Sequence, residues 1–230
     1  VAVTNAYCAV QDVRDFLGDG ASTLSTSVLE RAINAASRQV DQQCFRRFWR
    51  DAAVTTRVYR ATDSRAVWTD DISTTTGLVV ATDPGGDGTY ETAWTLNTDY
   101  RPEPLSADQV AAGDTVTPYA FWRLAAVGTR LMWPTSTVGF PAVQVTARYG
   151  WSAVPDDVAM ATILRTVGLF RRKDAPFGIA GFGELGGMRI ARQDPDVAGL
   201  LGPYVKTRPR TLSYDTQRES LFHGRRWSGR

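Results

Sequence analysis

The sequence predicts an α+β protein: a small helical bundle, a β-rich domain inserted between its second and third helices, and an extended basic C-terminal arm. Three observations lead there. Apolar residues recur at three- and four-residue spacing near both ends of the chain. From about residue 54 to residue 149 the pattern changes to short runs separated by Thr, Asp, Gly and Pro clusters. Past residue 205 apolar residues thin out and arginines accumulate. The expected divisions are 1–51 and 151–205 for the two parts of the helical domain, 52–150 for the β-rich domain and 206–230 for the arm.

The first helix is expected over Val10–Leu17, where Val10, Val13 and Phe16 or Leu17 share a face and Gly18 can end it. The second helix, over 27–48, has the clearest stripe: Leu29, Ile33, Ala36, Val40 and Cys44 fall on one side. Ser27 and Glu30 are spaced for a capping box at its start. Strands are expected at 52–60, 66–68, 78–81 and 89–96. The turn residues Asp83-Pro84-Gly85-Gly86-Asp87-Gly88 join two of these runs as a hairpin. Residues 101–118 hold three prolines and read as a loop, while 119–134 show no decisive pattern. At 142–149 alternation is clean, with Val143, Val145, Ala147 and Tyr149 on one face.

Helical signals return at Pro155, suited to a first helical position. Asp156 and Asp157 favour the positive end of that helix and Arg171, Arg172 and Lys173 its negative end. Met160, Ile163, Leu164, Val167 and Phe170 form the expected buried stripe. A glycine-rich loop over 176–187 interrupts the helix. Asp194-Pro195-Asp196 then caps a short one bearing Val197, Leu200 and Leu201, stopped by Gly202-Pro203. The two helical ends are too short for separate cores and should pack together.

Composition supports packed cores: 43% of residues are hydrophobic and 22% charged, as in ordinary globular domains. No apolar run approaches the roughly 18 residues of a membrane span, and Val1 to Val10 hold no basic residue followed by a long apolar run, so neither an anchor nor a signal peptide is expected. Cys8 and Cys44 stand apart and read as buried thiols. Charge is uneven. Residues 206–230 hold seven basic residues and two acids, +5, leaving 19 basic residues and 22 acids, −3, for the rest. Such a tail suits an acidic partner, protein or nucleic acid. Its apolar residues are too few to offset the entropy of ordering it alone.

Catalytic and metal-binding patterns are weak. His223 is the one histidine, so neither a His-based triad nor a multi-His metal site can form. Gly181-Phe182-Gly183-Glu184-Leu185-Gly186 matches a dinucleotide fingerprint, but a helix precedes it and a β-like run follows, the reverse of what phosphate binding needs. Asp83, Asp87 and Glu91 have a faint calcium-loop look, but a calcium loop needs oxygen ligands at more positions and flanking helices, so a glycine-rich hairpin turn is the better reading. The aspartate pairs 156/157 and 194/196 are explained by helix starts. Trp68, Trp94, Trp122 and Trp133 could form a sugar- or nucleic-acid-binding face, though core packing accounts for them in so short a domain. No enzyme activity and no cofactor is expected.

One arrangement is familiar. Val145-Thr146-Ala147-Arg148-Tyr149-Gly150-Trp151 precedes Val154-Pro155-Asp156-Asp157-Val158 and a helix ending Leu169-Phe170-Arg171-Arg172. Pro176-Phe177-Gly178, Asp194-Pro195-Asp196-Val197, Leu200-Leu201 and Pro203-Tyr204 follow. Near the start stand Tyr7, Asp12-Val13, Phe16-Leu17-Gly18 and a helix ending Cys44-Phe45-Arg46-Arg47-Phe48. In order and spacing this resembles the ring-forming head-to-tail connector (adaptor, or head-completion) proteins of long-tailed bacteriophages, over about half the chain. The long β insertion departs from the smaller members, where it is little more than a hairpin.

The resemblance implies a structural virion protein at the head–tail junction, made in the host cytoplasm. It implies a homo-oligomeric ring, usually of 12 copies, that extends the portal's DNA channel and docks the next head-completion or tail protein. Its partners would be copies of itself, the portal protein, that downstream protein and the genomic DNA passing through, with no membrane. It implies a portal-binding arm, for which Arg208, Arg210, Tyr214, Leu221, Phe222, Arg225, Arg226 and Trp227 are the candidates. Phe177, Ile179, Phe182, Glu184 and Met188 are candidates for a subunit-interface or channel loop, mobile in the monomer and ordered on assembly. The competing readings are a nucleic-acid-binding module using the basic tail and exposed aromatics, and a carbohydrate-binding β module on a virion.

Overall fold

A computed structural model describes residues 2–18, 25–61, 63–105, 120–128, 130, 132–134, 141–171, 179–180, 188–189 and 194–206. It is a mixed α+β fold. The helices are α1 (Val10–Leu17), α2 (Thr26–Cys44), α3 (Asp156–Arg171) and α4 (Pro195–Leu201), the last followed by a 3-10 turn, Gly202–Tyr204. The strands are β1 (Thr55–Tyr59), β2 (Ala66–Ile72), β3 (Val79–Thr82), β4 (Thr92–Trp94), β5 (Tyr100–Glu103), β6 (Phe121–Ala126) and β7 (Val143–Ala147), with the two-residue strands β8 (Ile179–Ala180) and β9 (Met188–Arg189). They form a four-stranded sheet in the order β1-β7-β3-β4, a three-stranded sheet β2-β6-β5 and the hairpin β8-β9, all antiparallel.

The helical ends share their core. Leu29 and Ile33 of α2 pack with Cys8, Val13 of α1 and Ile163 and Val167 of α3. Further along, Val40, Cys44 and Phe48 join Tyr7, Trp151, Val158, Ala161, Val197 and Leu201. The whole α2 stripe named from sequence is fully buried, which is what its periodicity requires. Gly18, at φ 76°, ends α1 in the backbone region that glycine adopts without strain. Cys8 and Cys44 are free and buried, and burial pushes their thiols up to about 12 and about 11.

The two larger sheets enclose one apolar core. Val80, Trp94, Val143, Val145 and Ala147 come from the first, and Val67, Ile72, Tyr100, Phe121 and Leu124 from the second. Trp94 and Trp133 stack within it at 4.0 Å, 5° from parallel, so these two tryptophans are core residues. The alternation read for β7 holds, with Val143, Val145, Ala147 and Tyr149 fully buried. The hairpin between β3 and β4 also holds. The Asp83 carboxylate accepts the Gly86 and Gly88 N–H groups at 2.6 and 2.7 Å and locks the turn.

Several expectations need correction. The capping box at Ser27 does not form, because the N-cap is Ser25, two residues earlier, and Ser27 lies inside the first turn. Pro155 precedes α3 instead of opening it, and its carbonyl accepts the first helical N–H, from Ala159, at 3.0 Å. Met160 is 41% exposed and leaves the expected stripe, whereas Ile163 and Val167 are buried together with Val158, Ala161 and Thr162, whose hydroxyl is absorbed by the Val158 carbonyl. The proline-rich loop over 101–118 begins as a strand: Pro102 lies in β5, opposite Leu124. β5 is an outer strand, where a missing N–H is tolerated. The second strand extends beyond the expected 66–68 to Ile72, across a bulge.

Replacing Ile33 by Asp would place a charge among Val13, Leu29, Ile163 and Val167 with no partner. We expect a loss on the order of 4 kcal/mol in denaturant unfolding. An unchanged midpoint would remove α2 from the core.

Candidate functional site

A buried charge cluster sits where four distant segments meet. Arg46 follows α2, Asp71 lies near the end of β2, Trp151 stands between β7 and α3, and Lys206 follows the 3-10 turn. Arg46 Nη1 and Lys206 Nζ approach the same Asp71 Oδ1, at 3.0 and 3.3 Å, and Trp151 Nε1 donates to Oδ2 at 2.9 Å. The Arg46, Asp71 and Lys206 side chains are 7%, 4% and 8% exposed, so solvent screens this cluster little. The Arg46 guanidinium lies over the Trp122 ring at 4.4 Å. Trp122 therefore supports the junction and does not stand free on a binding face.

Local backbone geometry makes the meeting possible. Gly150 has φ 102°, and a Cβ there would fall 2.0 Å from the Trp49 carbonyl oxygen. Only glycine permits that approach. Its N–H donates to the Asp71 carbonyl at 2.7 Å, and the Lys206 N–H donates to the Cys44 carbonyl at 2.9 Å. Lys206 Nζ also donates to the Thr69 carbonyl at 2.7 Å.

Lys206 thus belongs to the body, although its charge had grouped it with the tail. Lys206, the last described residue, lies beside Thr69 and Asp71 of β2. Without Lys206, residues 207–230 hold six basic residues against two acids, +4.

The other candidate region lies between α3 and α4. Ile179 and Met188 fall in β8 and β9, whose register pairs Ile179 with Arg189 and Ala180 with Met188. A strand therefore leaves the glycine-rich segment on its far side, where a phosphate loop would need a helix. Phe177, Phe182 and Glu184 lie outside the described residues, as do the arm candidates Arg208, Arg210, Tyr214, Leu221, Phe222, Arg225, Arg226 and Trp227, and His223.

Among the described residues, Asp83, Asp87 and Glu91 bring three carboxylates within 4.8 Å. Burial would raise the Asp83 carboxyl, but backbone N–H groups from Gly88, Gly86, Asp87 and Gly85 outweigh it and hold it below the usual carboxylate range. Those bonds make it a turn lock. Asp156 and Asp157 occupy the first turn of α3, and Asp194 caps α4 by accepting the Asp196 N–H at 3.0 Å. No described helix is long and apolar enough to cross a membrane.

Sequence reasoning missed the Asp71 cluster, because its members lie 25, 80 and 135 positions from Asp71. One signal was available. Lys206 is one of only two lysines among 26 basic residues, and an ammonium is the compact cation that a shared carboxylate beside a carbonyl can accept.

No protein-family model matches the sequence, and no curated protein matches it. Solved structures do match the fold. A chain from the neck of an empty gene transfer agent particle, computed with C6 symmetry, aligns over 92% of this chain and 95% of its own, at 18% identity and a TM-score of 0.53. A chain from the virion of the native gene transfer agent particle aligns with the same coverage at 19% identity and a TM-score of 0.49.

Removing Asp71 leaves two buried cations without their counter-charge, so Asp71→Asn should cost about 3–5 kcal/mol. Lys206→Met removes the surplus cation and should cost under about 1 kcal/mol. Equal losses in urea unfolding would contradict the shared-carboxylate reading. Burial lowers the Lys206 ammonium from its ordinary 10.5, and the Asp71 charge restores only part. Just below pH 10.5 the unfolded chain therefore binds more protons than the folded one. Wild-type stability relative to Lys206→Met should rise as pH approaches 10.5 and level above it.

Proposed function

We propose that this chain is a structural virion protein of the head–tail neck. It forms a ring that continues the portal's DNA channel and offers a docking surface to the next connector or tail protein. The observation that carries the reading is the fold match to a neck protein over nearly the full length of both chains. The order of sequence motifs pointed to the same class. The neck of that particle was computed with C6 symmetry, and a ring of twelve copies is compatible with a sixfold axis.

In this reading the β-rich stretch is a domain inserted into one helical unit, and the Asp71 cluster fixes the two together. Residues 207–230 form the arm that reaches the portal. Arg208, Arg210, Arg225 and Arg226 pair with acids there, and Tyr214, Leu221, Phe222 and Trp227 fill pockets. The β8–β9 hairpin faces a neighbouring subunit or the channel wall. Hydrogen exchange over 172–193 should then slow on assembly; identical exchange in monomer and particle would remove the hairpin from the interface.

Because Lys206 is part of the body, the informative truncation ends after it. That protein should stay folded and soluble, yet fail to co-sediment with portal-bearing heads. Attachment equal to the full chain would show that the arm is not the anchor. Loss of DNA binding with attachment intact would favour the nucleic-acid reading of the tail, which its +4 charge supports.

A further inference from the structure

The end of α2 carries an unusual residue. Among the described residues three besides glycine have positive φ: Asn5, Asn97 and Phe45, at 50°, 64° and 52°. Asparagine tolerates that region, whereas a phenylalanine there is strained. Phe45 closes α2 in the left-handed conformation, its N–H donating to the Asp41 carbonyl, at a position where glycine is the usual residue. It is also 63% exposed and belongs to none of the buried clusters. Strain and an exposed ring at one residue point to a contact that the ring serves.

Position in the fold selects the occupant. The Cys44 carbonyl, one residue before Phe45, accepts the Lys206 N–H at 2.9 Å. The Arg46 and Lys206 side chains both turn inward to Asp71. The chain past Lys206 therefore starts beside Phe45 in every molecule, with no encounter from solution. Pro209, the one proline past Lys206, stays within roughly 11 Å of the Lys206 Cα at about 3.6 Å per residue. A separate partner loses translational and rotational freedom on docking; a tethered segment does not. The chemistry of the segment also fits. Pro209 has no N–H, so laying it on a ring strands no donor. Its own ring fixes φ and holds Arg208 extended, so Thr207-Arg208-Pro209 loses less freedom on ordering than three ordinary residues would. Each of the two rings then buries apolar surface on the other.

We propose that Phe45 is the platform for the first residues of the chain's own tail. Pro209 lies on its ring, which sets the direction in which residues 210–230 leave the body. Those later residues take no part in the contact and are left to a partner. Their role as a portal-binding arm rests on the reading above; the contact on Phe45 is present in the free chain.

The test uses the free full-length chain with labelled proline. The Pro209 signal is the one that truncation after Lys206 removes. In the wild type it should lie upfield of its random-coil position, shifted by the Phe45 ring current, and Phe45→Gly should return it there. Trypsin gives a second readout. It does not cut between Arg208 and Pro209, so Arg210 is its first exposed site past the body. Cleavage after Arg210, measured against cleavage after Arg226, should quicken about threefold or more in Phe45→Gly. Glycine adopts the backbone of this position freely, so that variant should unfold no earlier than wild type. If it fails to fold, Phe45→Asn, the residue this fold already uses at positive φ, gives the same readouts. A random-coil Pro209 signal in the wild type, with an unchanged cleavage ratio in the variant, would overturn the proposal. Phe45→Gly that weakens attachment to portal-bearing heads while leaving both tail readouts unchanged would overturn it in favour of a direct partner contact. A shifted Pro209 in a chain that never joins heads would uphold the contact and remove the arm reading.

Discussion

A single buried carboxylate, that of Asp71, ties the helical core to the sheets. Asp71 receives two cations and an indole from segments that precede, follow and close the β-rich stretch. Each partner comes from a different part of the chain, so helical core and sheets share one electrostatic anchor. Breaking a buried pair costs far more than the pair contributes over a hydrophobic substitute. The cluster therefore contributes orientation more than stability: it sets where the sheets sit on the helices and holds Lys206 against both.

That placement bears on function. A ring protein has to present one surface to its neighbours and another to the rings above and below, in fixed relation. Gly150 lets the backbone pass within contact of Trp49 and Arg50, and its N–H grips the Asp71 carbonyl, so the crossing from β7 into α3 has little freedom. Lys206 does the same for the exit of the chain, through its side chain on Asp71 and its backbone on Cys44. In the proposed ring, a segment continuing from Lys206 would start from the same point in every subunit, which a symmetric assembly requires.

Much of the architecture was legible because it is periodic. The α2 stripe, the alternation of β7, the glycine-rich hairpin and the Asp194 cap are local patterns, and each formed. Failures came where tertiary position outweighed local preference. Pro102 reads as a loop residue until β5 proves to be an outer strand. Met160 fits the helical stripe, but buried threonines with their hydroxyls bonded along α3 take the inner face. The Asp71 cluster had no local pattern at all, since it joins residues whose proximity exists only after folding. Of the functional candidates, Ile179 and Met188 find a place in a short hairpin, while the arm residues lie beyond the described chain.

The proposed role is that of a ring at the neck of a phage-like particle. Electron microscopy of the full-length protein mixed with its own portal tests it most directly. A closed ring coaxial with the portal is expected, its central hole continuing the portal channel and density from the proposed arm running onto the portal surface. Portal rings that remain bare at saturating protein, with this chain dispersed as monomers, would contradict it.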